Sequence, residues 1–569
     1  MRVRSNNNLF KMKYKLISRK SHKQSFYKLF LGLFIIAFIF SCNDVLLSAE
    51  SGAGTKFNMS YVYFGSPVNY TSYVDSTKGS LNEISPNYFN LKGDGSLSIS
   101  SSINSDFIDE MHERGIRVVP FLSNHWDREL GRKALNNRNA LAEQIANAVV
   151  KYNLDGVNID LENLNEEDRN NYTDFVRLLR QKMPAGKIIA VSVASNPWGI
   201  TKGWQGSYDY AALGQYSDYL MIMAYDEHYD GGSAGPVASI KFVEDSIKYA
   251  IQRVPKEKIV LGIPFFGRIW KNGGGIAGQG ISLNTAETLI AKYRGVVTFD
   301  YTSYSPKATI TIKSGDEKPY IFGTKLEAGT YTIWYENEQS IKQKLILVKK
   351  YGIKGTGSWS LGQETKNTWD YYDLWLNGHY YTDAQGHWAV KSIITVANNK
   401  WMVGNGSNSF APNKSLTRAE AATALVRAMR LLEKGGKKNT QEVAFSDISG
   451  HWAENEIKIA AQYGIIVGRG DGTFGPDQAI TREEVAVLMN RVISMQQGRN
   501  ALASRSENTS GNNVIFIDVS AESCPWSYDA IIAMSGIGII KGLPDGRFLP
   551  KNNTTRAEMA ALLCRVMGN

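Results

Sequence analysis

The stretch Leu154 to Glu162 reads L-D-G-V-N-I-D-L-E. Val157, Ile159 and Leu161 alternate with Asn158, Asp160 and Glu162, a period of two that predicts a β-strand. One face is apolar, and the other carries an amide and two carboxylates. The strand sits between two helical patterns, Ala140 to Tyr152 and Arg169 to Met183, as in a parallel βαβ array covered on both faces. Burying carboxylates in such a sheet costs several kcal/mol unless they are paired or used. The pattern therefore points to an active site at the end of a strand.

Strand-like runs alternate with helix-like ones on either side. They are Phe57 to Phe64, a weaker candidate near Leu81 to Ile84, Gly115 to Leu122, Lys187 to Ala194, Ser217 to Tyr225, Lys258 to Phe266 and Gly355 to Leu361. With the opening strand they make eight, which predicts an α/β fold of the (β/α)8 TIM-barrel type over residues 56–377. Between about 271 and 339 the pattern changes to glycine-rich turns and short strands (Val296 to Thr302, Ala308 to Ile312, Thr330 to Trp334). This predicts a small α+β insertion after the seventh strand, on the catalytic face of the barrel.

The net charge of +10 suggests a nucleic-acid or anionic-membrane partner. However, nine Lys/Arg residues lie before residue 29 with no acid among them, and they account for nearly all of the excess. They precede the twelve-residue apolar run Leu29 to Phe40, too short for a span of about 20 residues. Residues 1–49 thus read as a secretory signal with cleavage after Ala49. Ile39-Phe40-Ser41-Cys42 is a weak match to a lipoprotein box, because Phe40 is bulky. An uncleaved anchor is the third reading; all three place the chain outside the cytoplasm. The expectation is a secreted protein with no membrane span in its mature form and no nucleic-acid partner. Cys524 and Cys564 either pair or are packed thiols, and the sequence leaves both open. No metal-ligand spacing and no phosphate or nucleotide loop is present, so no metal and no cofactor is expected.

From about Tyr380 the chain repeats three times, over residues 380–430, 445–494 and 514–569. Thirty positions separate Trp388 from Arg418, Trp452 from Arg482 and Trp526 from Arg556. Each arginine lies in T-R-[AE]-E, a capping box that starts a helix. Polar linkers, Glu433 to Asn439 and Gln496 to Asn513, separate the copies.

Asp160 and Glu162 point the same way from one strand, so their like charges disfavour double ionisation. Glu162, nearer the strand's C-terminal end, is the better general acid for a departing sugar oxygen. Tyr225-Asp226 and Trp359 close other strands; either aromatic alone is as readily barrel packing as site. Trp126 and Trp198 follow the third and fifth strands. They could line a glycan groove, but loop packing is the simpler reading.

Asp155 to Glu162 resembles the D-G-x-D-x-D-x-E signature of glycoside hydrolase family 18. Met223-Ala224-Tyr225-Asp226, Gly262 to Arg268 and Trp359 are similar to that family's later strands. The resemblance implies substrate-assisted retaining hydrolysis beside N-acetylglucosamine, with Glu162 as acid and base, Asp160 orienting the acetamido group, Tyr225 and Asp226 holding it, and Trp359, Asn158, Met223 and Trp126 binding substrate. Asn158 replaces the usual aspartate, and Phe121 to Trp126 lacks the S-x-G-G of chitinases. Both features look like the branch that acts on peptidoglycan or spore cortex. A chitinase and a non-catalytic wall lectin are the alternatives. The three repeats resemble S-layer homology domains. This implies binding of secondary cell-wall polysaccharide by Arg418, Arg482 and Arg556, with Trp388, Trp452 and Trp526 as groove walls. The competing reading of each tryptophan is repeat core. In the first copy Gly404 to Phe410 replaces the Asp-Gly turn of the others, predicting a weaker groove.

Overall fold

The computed structural model describes residues 55–431, 444–497 and 516–568. The signal segment, Cys42 and most of both linkers lie outside the described residues.

Eight parallel strands close into a barrel. In order they are Phe57–Val62, Glu83–Pro86, a third strand in two pieces, Gly156–Asp160, Ile188–Ala194, Tyr219–Met223, Ile259–Pro264 and Gly355–Trp359. Each hydrogen-bonds to the next, and the eighth returns to the first with Phe57 opposite Gly355. The third strand is split into Arg117–Val118 and Phe121–Ser123. Pro120, which has no N–H to give a ladder, lies in the break. The second strand therefore pairs with the first piece, and its continuation Phe89–Leu91 with the second. The second barrel strand begins two residues later than the sequence pattern implied, because Leu81 is buried ahead of it rather than within it.

The alternation in Gly156–Asp160 sorts as its period requires. Val157, Ile159 and Leu161 join the large core between sheet and helices, while Asn158 and Asp160 point into the lumen. The lumen has its own small apolar cluster of Phe57, Met59, Tyr61, Phe121, Tyr219, Met221, Met223 and Val260. This is a filled barrel, with layers of side chains below the mouth.

The inserted lobe is a five-stranded antiparallel sheet with one helix, Leu283–Lys292. Its first strand is Phe266–Lys271, so Phe266, which the sequence pattern gave to the seventh barrel strand, belongs to the lobe. The chain leaves the barrel after Pro264, and the lobe begins several residues before 271.

The C-terminal repeats form a ring. The second helix of the first repeat (Arg418–Ala428) packs on the first helix of the second (Glu454–Gln462). The second helix of the second (Arg482–Gln497) packs on the first of the third (Tyr528–Gly536). The last helix (Arg556–Met567) returns to the first (Val390–Asn398). Thr417/Glu420 and Thr555/Glu558 are full capping boxes, and Thr481/Glu484 bond in the same way. Asp383, Asp447 and Asp518 each accept two backbone N–H groups from the turn of their own repeat. Cys524 and Cys564 are buried and unpaired thiols. Among the described residues no helix is long and apolar enough to cross a membrane.

Candidate active site

Asp160 ends the fourth strand and Glu162 stands two residues on, above the mouth. The backbone of Glu162 is fixed by Asn124, a fully buried residue after the third strand. Asn124 Oδ1 accepts from the Glu162 N–H at 2.8 Å, and its Nδ2 donates to the Glu162 carbonyl at 2.9 Å. Tyr208 donates to the preceding carbonyl, that of Leu161, at 3.0 Å. The carboxyl is therefore held by its main chain, which leaves the side chain facing a cavity.

That cavity measures about 850 Å³ and opens at the C-terminal mouth of the barrel. Asp160, Glu162, Met223, Tyr225, Asp226 and Trp359 all line it. The structure thus brings together six of the residues singled out in the sequence. Trp126 and Trp198 line it too, 50% and 63% exposed, so the loop-packing reading of these two does not hold. Trp126 meets the Trp204 ring at 4.9 Å and Trp198 meets Phe242 at 5.6 Å. Gly262 leaves room for Tyr225: a Cβ there would come within 2.9 Å of its ring and 2.5 Å of the Ile222 carbonyl.

Asn158 lies one layer deeper and does not line the cavity. Its Nδ2 donates to the Tyr61 hydroxyl at 2.8 Å, Ser192 Oγ donates to its Oδ1 at 3.1 Å, and Tyr61 and Ser192 are 2.7 Å apart. Tyr61 and Ser192 had no sequence signal of their own, and Arg268 entered only as the end of the segment Gly262 to Arg268, with no role assigned. The inward phase of the first and fifth strands could have nominated Tyr61 and Ser192, but not their partners.

Burial dominates the electrostatics. Asp160 is 5% exposed, and its Oδ1 has no hydrogen-bond partner. Desolvation pushes its carboxyl up to about 7, with a Ser192 hydrogen bond opposing. Glu162 is held well above the usual carboxylate range by desolvation first, then by the charges of Asp160 and Asp226. Asp226 has φ +58° and bonds Arg268 at 2.7 Å. Burial still raises its carboxyl, with Arg268 opposing. A proton is thus available at the mouth near neutral pH, beside a carboxylate that is poorly compensated. This is an arrangement for general acid–base chemistry. Among the described residues no cluster of His, Cys, Asp or Glu is placed to hold a metal.

In the ring, Trp388, Trp452 and Trp526 are 66%, 60% and 54% exposed, not repeat core. Arg418, Arg482 and Arg556 are mostly buried and engaged. Arg418 pairs with Glu484, Arg482 with Glu558 and Arg556 with Glu420. Each also donates from Nε to the carbonyl of a buried Phe, namely Phe474, Phe548 and Phe410. Every arginine reaches into the next repeat. One groove, of about 170 Å³, joins Trp388 of the first repeat, Arg482 of the second, and Lys541, Leu543 and Arg565 of the third.

The sequence profile of glycosyl hydrolases family 18 matches residues 61–364, and that of the S-layer homology domain matches 380–422, 444–486 and 516–560. Among curated sequences, the chain is 30% identical over 249 residues to the uncharacterized glycosylase YvbX of Bacillus subtilis (strain 168), covering 43% of this chain and 69% of that protein. It is 26% identical over 236 residues to the cortical fragment-lytic enzyme of Bacillus anthracis, covering 41% of this chain and 52% of that one, so it spans about half the length of that relative. Among solved structures, the spore cortex-lytic enzyme SleL of Bacillus cereus aligns with TM-score 0.48 and 23% identity, over 56% of this chain and 73% of that one.

Proposed function

Because the chain belongs to glycosyl hydrolases family 18 and carries three S-layer homology domains, we propose that it is a wall-tethered glycosidase that cuts β-1,4 linkages beside N-acetylglucosamine, on peptidoglycan or spore cortex. The observation that carries this is the pair Asp160 and Glu162, side by side in one cavity with both carboxyls raised by burial. In this reading Glu162 gives its proton to the glycosidic oxygen as that bond breaks. The carbonyl oxygen of the substrate's own 2-acetamido group forms the new bond to the anomeric carbon, on the opposite face. Asp160 orients the acetamido N–H and balances the positive charge that develops on it. Tyr225 donates to the acetamido carbonyl, and Asp226, tied to Arg268, fixes Tyr225's loop. Trp359 floors the sugar ring. Water then attacks the anomeric carbon as the bond from that carbon to the acetamido oxygen breaks, the water's proton passes to Glu162, the acetamido group is restored, and the original configuration is retained.

Asn158 and the missing S-x-G-G favour peptidoglycan over chitin, and the names of the cortical fragment-lytic relatives point the same way. The full chain is incubated with cortex peptidoglycan and, separately, with chitin oligomers, and released reducing ends are counted. Glu162→Gln is expected to lower the rate by about two to four orders of magnitude; turnover that survives it would refute the assignment. The repeats are proposed to hold the enzyme on secondary cell-wall polysaccharide, and a chain that does not co-sediment with purified walls refutes that.

A further inference from the structure

The lobe ends in a two-residue hairpin. Tyr320 pairs with Lys325 and Ile321 with Thr324, which leaves Phe322-Gly323 as the turn. Phe322 has φ +44° and Gly323 has φ +85°. A turn with both central residues at positive φ is the type I′ geometry, which asparagine or glycine fills without strain. A bulky aromatic at the first position is an outlier. Burial does not explain it, since Phe322 is 57% exposed. The hairpin base, in contrast, is firmly set: Ile321 is 3% exposed, and Gln279 Nε2 donates to its carbonyl at 2.9 Å.

The strained ring has a direction. It lies 5.2 Å from Phe64, at 34° between planes. Phe64 meets Tyr63 at 4.9 Å, and Tyr63 meets Trp359 at 5.5 Å and 32°. Four aromatic rings thus run without a gap from the cavity floor to the lobe tip. Tyr63 at 36% and Phe322 at 57% are exposed along that line. Pyranose rings present apolar C–H faces that stack on such surfaces, so a row of exposed rings continuous with the floor is a track for successive sugars. Strain retained at an exposed position is a mark of function rather than of folding.

We propose that Phe322 is an outer sugar platform that extends the cleft floor along a glycan strand and makes the enzyme favour long strands over short ones. This rests on the glycosidase reading and adds the length of substrate to it. The competing role is a plain tether, in which Phe322 only holds the lobe against Phe64.

The test is Phe322→Asn in the full chain, with Phe322→Trp as the conservative control. The ratio of kcat/KM on chitohexaose to that on a fluorogenic chitobioside should fall about three- to tenfold, the range of one aromatic contact. The thermal midpoint should hold or rise, because Asn-Gly relieves the turn. Phe322→Trp should keep the ratio. Binding of chitohexaose to Glu162→Gln should weaken by a similar factor when Phe322→Asn is added. An unchanged ratio, or a lower midpoint with equal losses on both substrates, overturns the platform. A wild-type chain that binds chitohexaose but cuts neither these substrates nor cortex peptidoglycan refutes the glycosidase reading while the binding comparison still decides Phe322. A chain that does not bind chitohexaose overturns the platform, and one that also leaves cortex peptidoglycan uncut overturns the glycosidase reading with it.

Discussion

At the barrel mouth Asp160 is 5% exposed and leaves one carboxylate oxygen without a partner; in the ring of repeats Arg556 is 8% exposed and spends its guanidinium on Glu420 and the carbonyls of Phe410 and Val403. The same arrangement recurs at Arg418 and Arg482. Burial is comparable, and the satisfaction of the charge is opposite. A buried ion whose partners are supplied is architecture: the three arginines close the ring, each tying one repeat to the next. A buried ion left short of partners raises the free energy of the folded state, and it persists where a substrate or a proton completes it. On the proposal that the repeats bind wall polysaccharide, the exposed tryptophans are the surfaces left free for it, while the arginines are already engaged.

If that contrast is right, the ring should be sensitive where the mouth is not. Arg556→Ala leaves Glu420 and two carbonyls uncompensated at the seam between the third and first repeats. Breaking a buried pair costs about 3–5 kcal/mol, and Glu420 is 22% exposed, so a loss of about 2–3 kcal/mol is expected. Differential scanning calorimetry would show it as an earlier melt of the repeats, with the barrel transition in place. Arg556→Lys should recover only part, since the ammonium lacks the fork that reaches three acceptors. An unmoved transition would mean that the ring does not depend on these pairs.

Trp388→Ala probes the exposed wall of the groove that Trp388 shares with Arg482. It removes no buried contact of the ring, so the melt should stay put, while affinity for purified walls falls about three- to tenfold, the scale of one aromatic contact. Equal binding by mutant and wild type would shift the groove's role back to the arginine.

How much of this was legible beforehand follows from what periodicity encodes. The alternation from Val157 to Glu162 fixed which side chains face the lumen, and eight such runs were enough for the barrel. Asp160, Glu162, Tyr225, Asp226 and Trp359 were found because each ends a strand, and strand ends converge at one face. Partners were not legible. Nothing in T-R-[AE]-E says that Arg418 meets the glutamate of the second repeat rather than its own. Tyr61 and Ser192 are ordinary strand residues until the closed sheet places them against Asn158. Exposure of Trp126 and Trp198 depends on loop paths that no local pattern fixes. Phe266 was misassigned because the apolar run continues across the bend between barrel and lobe.

The finest test of the contrast is the stability of the mouth itself. Aspartate in an unfolded chain titrates near about 3.9, and burial pushes Asp160 up to about 7. Between those values the folded chain keeps a proton that the unfolded chain has released. This contribution to stability is whole below about pH 4 and is lost as the pH rises toward 7. Asparagine at 160 has no charge to bury, so it should escape that loss. Asp160→Asn is therefore expected to melt about 1–3 °C above wild type at pH 7.5, with the gap closing toward pH 4, even as turnover drops. A mutant that melts below wild type at pH 7.5 would mean that the Asp160 carboxylate is compensated after all, and that the mouth and the ring bury charge on the same terms.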